Sequence, residues 1–389
     1  MTRYNFDEII PRRGTNSYKW DSSDDPEVTP LWVADMDFRT APEIIRRIQK
    51  RVEHGIFGYT KVPAEYYESV INWFSNKHGW KIQKDWILYT IGVVPAISAV
   101  IKSITSPGDK VLVQTPVYNC FFSSIRNNGC IIEENRLIYK EDDNSYEIDF
   151  KDLELKAKDE RVKVLLFCNP HNPSGRVWKM EELKRVSDIC MRTNVKIISD
   201  EIHNELVYPG YKYIPFASIS NLEEFLRNII TCVSPSKSFN TASLQIANII
   251  AYDEEIRNKI DRAININEVC DVNPFGIEAL IAAYNDSEDW LEELKAYLYE
   301  NYLALKNFFE NNLPMLKVTK LEGTYLAWIN CKSLGLKSEE IAKILLEKEK
   351  VWINPGTIYG EAGEGFIRIN FGCPRQLLLN ALNKFKCLV

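Results

Sequence analysis

The chain has 389 residues, 45% hydrophobic and 26% charged, with a formal net charge of −6. That length suits two domains, or one large domain with a smaller one packed on it, and the composition is that of an ordinary globular protein. The acidic balance offers no basic surface for nucleic acid, no apolar run is long enough to span a membrane, and no signal-peptide core follows Met1, which points to the cytoplasm.

The first forty or so residues show little periodicity and are expected to pack against the smaller domain. Leu88-Tyr89 ends a short run, and the segment from Gly92 opens a helix. Further runs at 110–114, 162–167, 195–199, 229–233 and 246–251 are rich in β-branched residues and bounded by polar or turn residues. That pattern predicts buried strands. Between the second and third of them, Glu181 to Arg192 places Leu183, Val186, Ile189 and Cys190 on one side of a helix. Asp286 to Asn312 carries a long helical pattern that leads into the smaller domain. That domain continues through Gly323 to Trp328, a helix near Ser338 to Glu349, and the segment Gly365 to Gly372. Strand and helix in alternation predict an α/β fold with a mainly parallel sheet covered on both faces. The large domain is expected over 48–285, and a smaller α+β domain from 1–47 with 286–389.

Ligands of open parallel sheets sit beyond the carboxyl ends of the strands, and there the unusual residues fall. Phe167-Cys168 runs into Asn169-Pro170-His171-Asn172-Pro173-Ser174-Gly175. Ile197-Ile198 runs into Ser199-Asp200-Glu201-Ile202-His203, and Cys232-Val233 into Ser234-Pro235-Ser236-Lys237. The turn at Gly92 presents free backbone N–H groups to a phosphate, and Ser234 and Ser236 can add hydroxyl donors. Asp200 can keep a pyridinium nitrogen protonated, and Lys237 can form an imine. Together these tasks match a phosphorylated, cationic aromatic cofactor. The nine cysteines and four histidines are dispersed without a C-x-x-C pair. No metal site or disulfide framework is expected, only reduced, mostly buried thiols.

In this order the motifs resemble the signature of fold-type I pyridoxal-phosphate (PLP) enzymes, the aspartate aminotransferase superfamily. Arg12 to Asp21, Leu31-Trp32-Val33-Ala34-Asp35-Met36-Asp37-Phe38, Gly58-Tyr59-Thr60 and Gly92-Val93-Val94-Pro95 resemble the MalY/PatB cystathionine β-lyase (C–S lyase) branch. The likeness runs from about residue 5 to residue 375. It implies a PLP-dependent transferase-like fold, with a mainly parallel seven-stranded sheet in the large domain. It implies Lys237 as the Schiff-base lysine and Cα base, Asp200 on the pyridine nitrogen, Asn172 on the phenolic oxygen and Tyr118 stacked on the ring. Gly92, Val93, Val94, Ser234 and Ser236 would hold the phosphate, with Tyr59 reaching that of a neighbouring subunit in a homodimer. Arg368 would clamp the substrate carboxylate.

Two departures set the chain apart from the broader aminotransferases. His203 stands where a tyrosine is usual, and Gln245 where an arginine commonly holds the phosphate. Both weaken a transaminase reading more than a PLP reading. The expected activity is β-elimination at a sulfur amino acid, with aminotransfer on a small amino acid as the alternative. Because the branch includes a protein with a regulatory role, a second, non-catalytic binding role is a further expectation. Taken singly, each residue has a plainer reading: Lys237 as a solvated strand end, Asp200 as a helix cap, His171 and His203 as structural histidines, Arg368 as a surface ion pair. Their conjunction in one order, at successive strand ends, carries the inference.

Overall fold

The structure, a computed structural model, describes residues 3–266, 268 and 271–389. Its centre is a seven-stranded sheet. In chain order the strands are β1 (Ile87–Thr90), β2 (Lys110–Val113), β3 (Ile131–Glu134), β4 (Val162–Cys168), β5 (Lys196–Asp200), β6 (Ile229–Val233) and β7 (Ala247–Ala251). Their spatial order is β1-β7-β6-β5-β4-β2-β3. Only β7 runs against its neighbours. The carboxyl ends of β1, β4, β5 and β6 therefore share one edge.

Period-two alternation explains why these strands read as continuous apolar runs. Along β4, Val164, Leu166 and Cys168 join one apolar cluster, while Leu165 and Phe167 join the other. Both faces are covered, as crossover connections between parallel strands require. Val93–Ile104 and Glu254–Asn265 pack on the first face, and Met180–Arg192 buries Leu183, Val186, Ile189 and Cys190 on the second. The start of the last helix is fixed where the Glu182 carboxylate accepts the Lys179 N–H at 2.8 Å.

A second, four-stranded sheet is antiparallel and pairs Leu326–Asn330 with Phe366–Asn370, with Lys317–Val318 and Asn354–Pro355 outside them. The helical pattern read from Asp286 is the long helix Glu288–Asn312, and a further helix, Pro274–Asp286, precedes it across Ser287. Gly356 and Gly363 cross closely enough that a Cβ on Gly356 would lie 1.9 Å from the Gly363 carbonyl oxygen. Only glycine permits that crossing, which leads into the strand bearing Arg368.

The N-terminal segment does more than cover this second sheet. Thr29 and Pro30 pair in parallel with Val351 and Trp352. A few residues later, the Asn240 side chain holds Met36 N–H (3.0 Å) and the carbonyls of Met36 and Phe38 (2.9 and 2.8 Å). The segment is a strap tied at both ends, one end to each sheet's surroundings. Among the described residues no helix is long and apolar enough to cross a membrane. The eight described cysteines are free and six of them are buried; Cys270 lies outside the described residues.

Candidate active site

At the shared strand edge lies a cavity of about 180 Å³. All four strand ends line it: Gly92, Val93 and Val94 beyond β1, Asn172 beyond β4, Asp200 at the end of β5, and Ser236 and Lys237 beyond β6. Tyr118, His203, Ile202 and Ala34 also line it. Val93 and Val94 open the helix Val93–Ile104, so their N–H groups have no intrahelical acceptor. Pro95 follows, where a missing N–H costs nothing.

Asp200 sits in register between Cys168 of β4 and Cys232 of β6, both buried thiols. Burial in these surroundings pushes its carboxyl from 3.8 up to about 7, although one oxygen accepts the Ile202 N–H at 3.1 Å and the Lys237 charge favours ionisation. Lys237 shows the opposite response to the same cause. Desolvation lowers its amine from 10.5 to about 8, against the nearby Asp35 and Asp200 carboxylates. Its Nζ donates to the Ala34 carbonyl at 2.6 Å. His203 is buried and held neutral, its value lowered to about 3 by desolvation and by the charges of Lys237 and Arg368. Its Nδ1 is buried and finds no partner among the described residues.

A lysine and a carboxyl with values driven towards each other, in one cavity beside a helix start, form a site for acid–base chemistry. Residues 26–385 match the family model described as aminotransferase class I and II. The chain belongs to that family. Within it, the chain is 40% identical over 386 residues to cystathionine β-lyase PatB of Bacillus subtilis, covering 98% of this chain and 99% of that one. A PLP-bound structure from Clostridium difficile 630, provisionally named an aminotransferase, is 43% identical with a TM-score of 0.95 and 99% of each chain covered. Cystalysin from Treponema denticola, which contains a PLP cofactor, is 36% identical with a TM-score of 0.93, covering 99% of this chain and 98% of that one.

For this member of the family, the residues singled out from sequence divide into groups. Gly92, Val93, Val94, Tyr118, Asn172, Asp200, His203, Ser236 and Lys237 all line the cavity. Ser234 does not. Its one hydroxyl proton goes to the Ile246 carbonyl at 2.6 Å, and its oxygen accepts the Ser236 N–H at 3.1 Å. In this arrangement Ser234 shapes the loop that presents Ser236. Arg368 stands behind Asn172, donating to its Oδ1 at 3.1 Å and to the Trp32 carbonyl at 2.8 Å, while its Nε is buried and unpartnered among the described residues. With Oδ1 so used, the Asn172 amide N–H₂ remains a donor. Tyr59 is 95% exposed and lies outside the cavity. Gln245 is exposed and also outside it. His171 is fully buried, bonded to Ser174 Oγ at 2.8 Å and to the Gln114 carbonyl at 3.3 Å, which is a structural role.

Sequence reasoning assigned no task to Ala34 or Tyr325. The Ala34 carbonyl accepts from both Lys237 and the Tyr325 hydroxyl, the latter at 2.8 Å. A backbone carbonyl leaves no trace in residue identity, and Tyr325 read only as part of the segment Gly323 to Trp328.

Proposed function

We propose that this protein is a PLP-dependent C–S lyase that carries out β-elimination on a sulfur amino acid such as L-cystathionine, giving a thiol, pyruvate and ammonia. The observation that carries this is the single cavity joining Lys237, Asp200, Ser236 and a helix start, in a chain that matches a named cystathionine β-lyase nearly end to end. The lining fits PLP. Val93 and Val94 N–H and the Ser236 hydroxyl suit a phosphate, Asp200 suits a cationic ring nitrogen, and the orphaned His203 Nδ1 and the free Asn172 amide leave polar capacity for ring substituents. When bound, PLP supplies an aldehyde that captures amines and a pyridinium ring that accepts electron density.

The chain's own residues supply the rest. Arg368 offers a fork of N–H donors to the substrate carboxylate, in exchange for its contact with the Trp32 carbonyl. The Lys237 amine, with its value near 8, is neutral often enough near pH 7 to take the Cα proton on Nζ. As that C–H bond breaks, a Cα–Cβ double bond forms and the Cβ–S bond opens, sulfur leaving with the bonding pair. Hydrolysis of the released enamine gives pyruvate and ammonia. Protein incubated with L-cystathionine and PLP, without any keto acid, is expected to release pyruvate and thiol in equal amounts. Turnover that requires an added keto acid would instead make this an aminotransferase.

The working unit is a homodimer. Support comes from the exposure of Tyr59 within a stretch that also exposes Val52, Ile56 and Phe57, an apolar run that a second copy would cover. Light scattering on the active protein is expected to give twice the 45.1 kDa chain mass. Tyr59→Phe is expected to weaken PLP retention about tenfold, the loss of one hydrogen bond to a charged group. A fully active monomer overturns both expectations.

A further inference from the structure

The strap from Trp32 to Phe38 bends at Val33-Ala34 and at Asp37-Phe38, and side chains rather than a strand ladder satisfy its carbonyls. Arg368 and Asn354 take the Trp32 carbonyl, Asn370 takes those of Val33 and Asp35, Lys237 and Tyr325 take that of Ala34, and Asn240 takes those of Met36 and Phe38. The two cations expected to meet the substrate therefore rest on carbonyls two residues apart. What fixes the strap is a charge cluster beneath it. Arg12 grips Asp35 at 2.7 Å and Asp37 at 2.6 Å; the fully buried Lys19 bonds Asp37 at 2.7 Å and stands 3.5 Å from Asp35. Trp20 Nε1 adds a hydrogen bond to Asp37 at 2.8 Å. Two cations and two carboxylates balance, so the cluster carries no net charge, but it is not symmetric towards the cavity. Asp37 is enclosed with Lys19, whereas Asp35 adjoins the residue whose carbonyl touches the Lys237 amine.

We propose that Asp35, clamped by Arg12 and Lys19, is a positioning residue for Lys237: it holds the Ala34 carbonyl on Nζ and keeps a negative charge next to it. The proposal rests on the PLP reading above and adds to it a residue outside the cavity wall. The charged and titratable groups facing Lys237 come from each surrounding element: Asp200 and His203 from the end of β5 and the turn after it, Tyr118 from the loop beyond β2 and Cys120 from the start of the helix Cys120–Asn127, Arg368 from the second sheet and Tyr325 just before its strand Leu326–Asn330, and Asp35 from the strap. Among the charges acting on the amine, Asp35 exerts the largest influence, ahead of Arg368 and Asp200. Asp37 is not among the leading ones. The two acids of one cluster thus have separable roles, Asp37 in holding the buried Lys19 and Asp35 in facing the amine.

The test is a pH titration of the visible absorbance of the PLP-loaded protein, whose midpoint reports proton binding at the Lys237 nitrogen. Asp35→Asn keeps the shape and removes the charge; it is expected to lower the midpoint by about half to one unit, and to lower kcat several-fold. Asp37→Asn is expected to lower thermal stability at least as much while moving the midpoint by less than half as far. Asp35→Glu is expected to restore the wild-type midpoint. Arg12→Gln, which leaves the Asp35 charge less neutralised, is expected to raise it, and serves equally if Asp35→Asn does not fold. A coloured wild type with an unmoved midpoint in Asp35→Asn, or equal shifts in both Asn variants, overturns this inference alone. A wild type that takes up no PLP overturns it together with the functional reading.

Discussion

Lys237→Ala is expected to lower β-elimination by at least about a thousandfold, the upper part of the range for removing a positioned general base. The loss is larger than for any neighbour because, in the proposed reaction, one nitrogen both holds the cofactor and accepts the Cα proton. Borohydride reduction of the wild-type protein followed by peptide mapping should place the adduct on Lys237, and the variant should give none. A second consequence has the opposite sign. Desolvation lowers the amine from 10.5 to about 8, so below pH 8 the cofactor-free fold must carry a charge that burial disfavours. Between about pH 8 and 10.5 the unfolded chain binds more protons than the folded one, so stability rises with pH across that window. Alanine removes this penalty. At pH 7 the cofactor-free variant is expected to be more stable than wild type by up to about 3 kcal/mol, offset in part by the lost bond to Ala34. Loss of activity with a raised melting temperature marks a residue kept for chemistry rather than for folding. A variant with more than a tenth of wild-type activity would remove Lys237 from the centre of the site.

The large sheet was legible because its strands are buried on both faces. β4 to β7 each read as a run of apolar and β-branched residues, with few polar side chains to break the signal. β3 escaped, since Ile131-Ile132-Glu133-Glu134 at the sheet edge is half exposed and carries no such run. The helix Pro274–Asp286 escaped for a different reason: it is buried at Gly276, Ile277 and every position from Ala279 to Tyr284, so no one-sided apolar stripe marks it, and it ends where the Ser287 hydroxyl donates to the Ala282 carbonyl at 2.9 Å. The strap had no periodicity because its hydrogen bonds run to side chains scattered from Lys237 to Asn370, a pattern that exists only after folding. At the site, the order of motifs along the chain was enough to gather nine residues into one cavity. It could not show that the Ser234 proton is already taken, or that Arg368 reaches the cavity through Asn172. Residue type announces what a group can do; its existing partners decide what remains free to do.

Asp200→Asn is the sharpest test of charge at the site, because asparagine can still accept the Ile202 N–H while losing the negative charge. If Asp200 served only as a local cap, that variant would be nearly silent. Opposite a cationic ring nitrogen the charge is the function, and kcat is expected to fall about a hundred- to a thousandfold, the scale for removing one preorganised electrostatic partner. The sign of the stability change depends on what fills the cavity. Burial raises the carboxyl from 3.8 to about 7, so in the cofactor-free protein its contribution is present below about pH 4 and is lost as the pH rises through 7. Cofactor-free Asp200→Asn is therefore expected to melt above wild type at pH 8, with the gap closing towards pH 4. Loading with PLP should reverse the comparison, since a ring cation stabilises the ionised carboxylate and leaves asparagine without a partner. The rise in melting temperature on adding PLP is thus expected to be smaller in the variant than in wild type at pH 8. Equal rises in the two proteins would show that the carboxylate does not meet a positive charge, and the placement of the ring nitrogen at Asp200 would have to be abandoned.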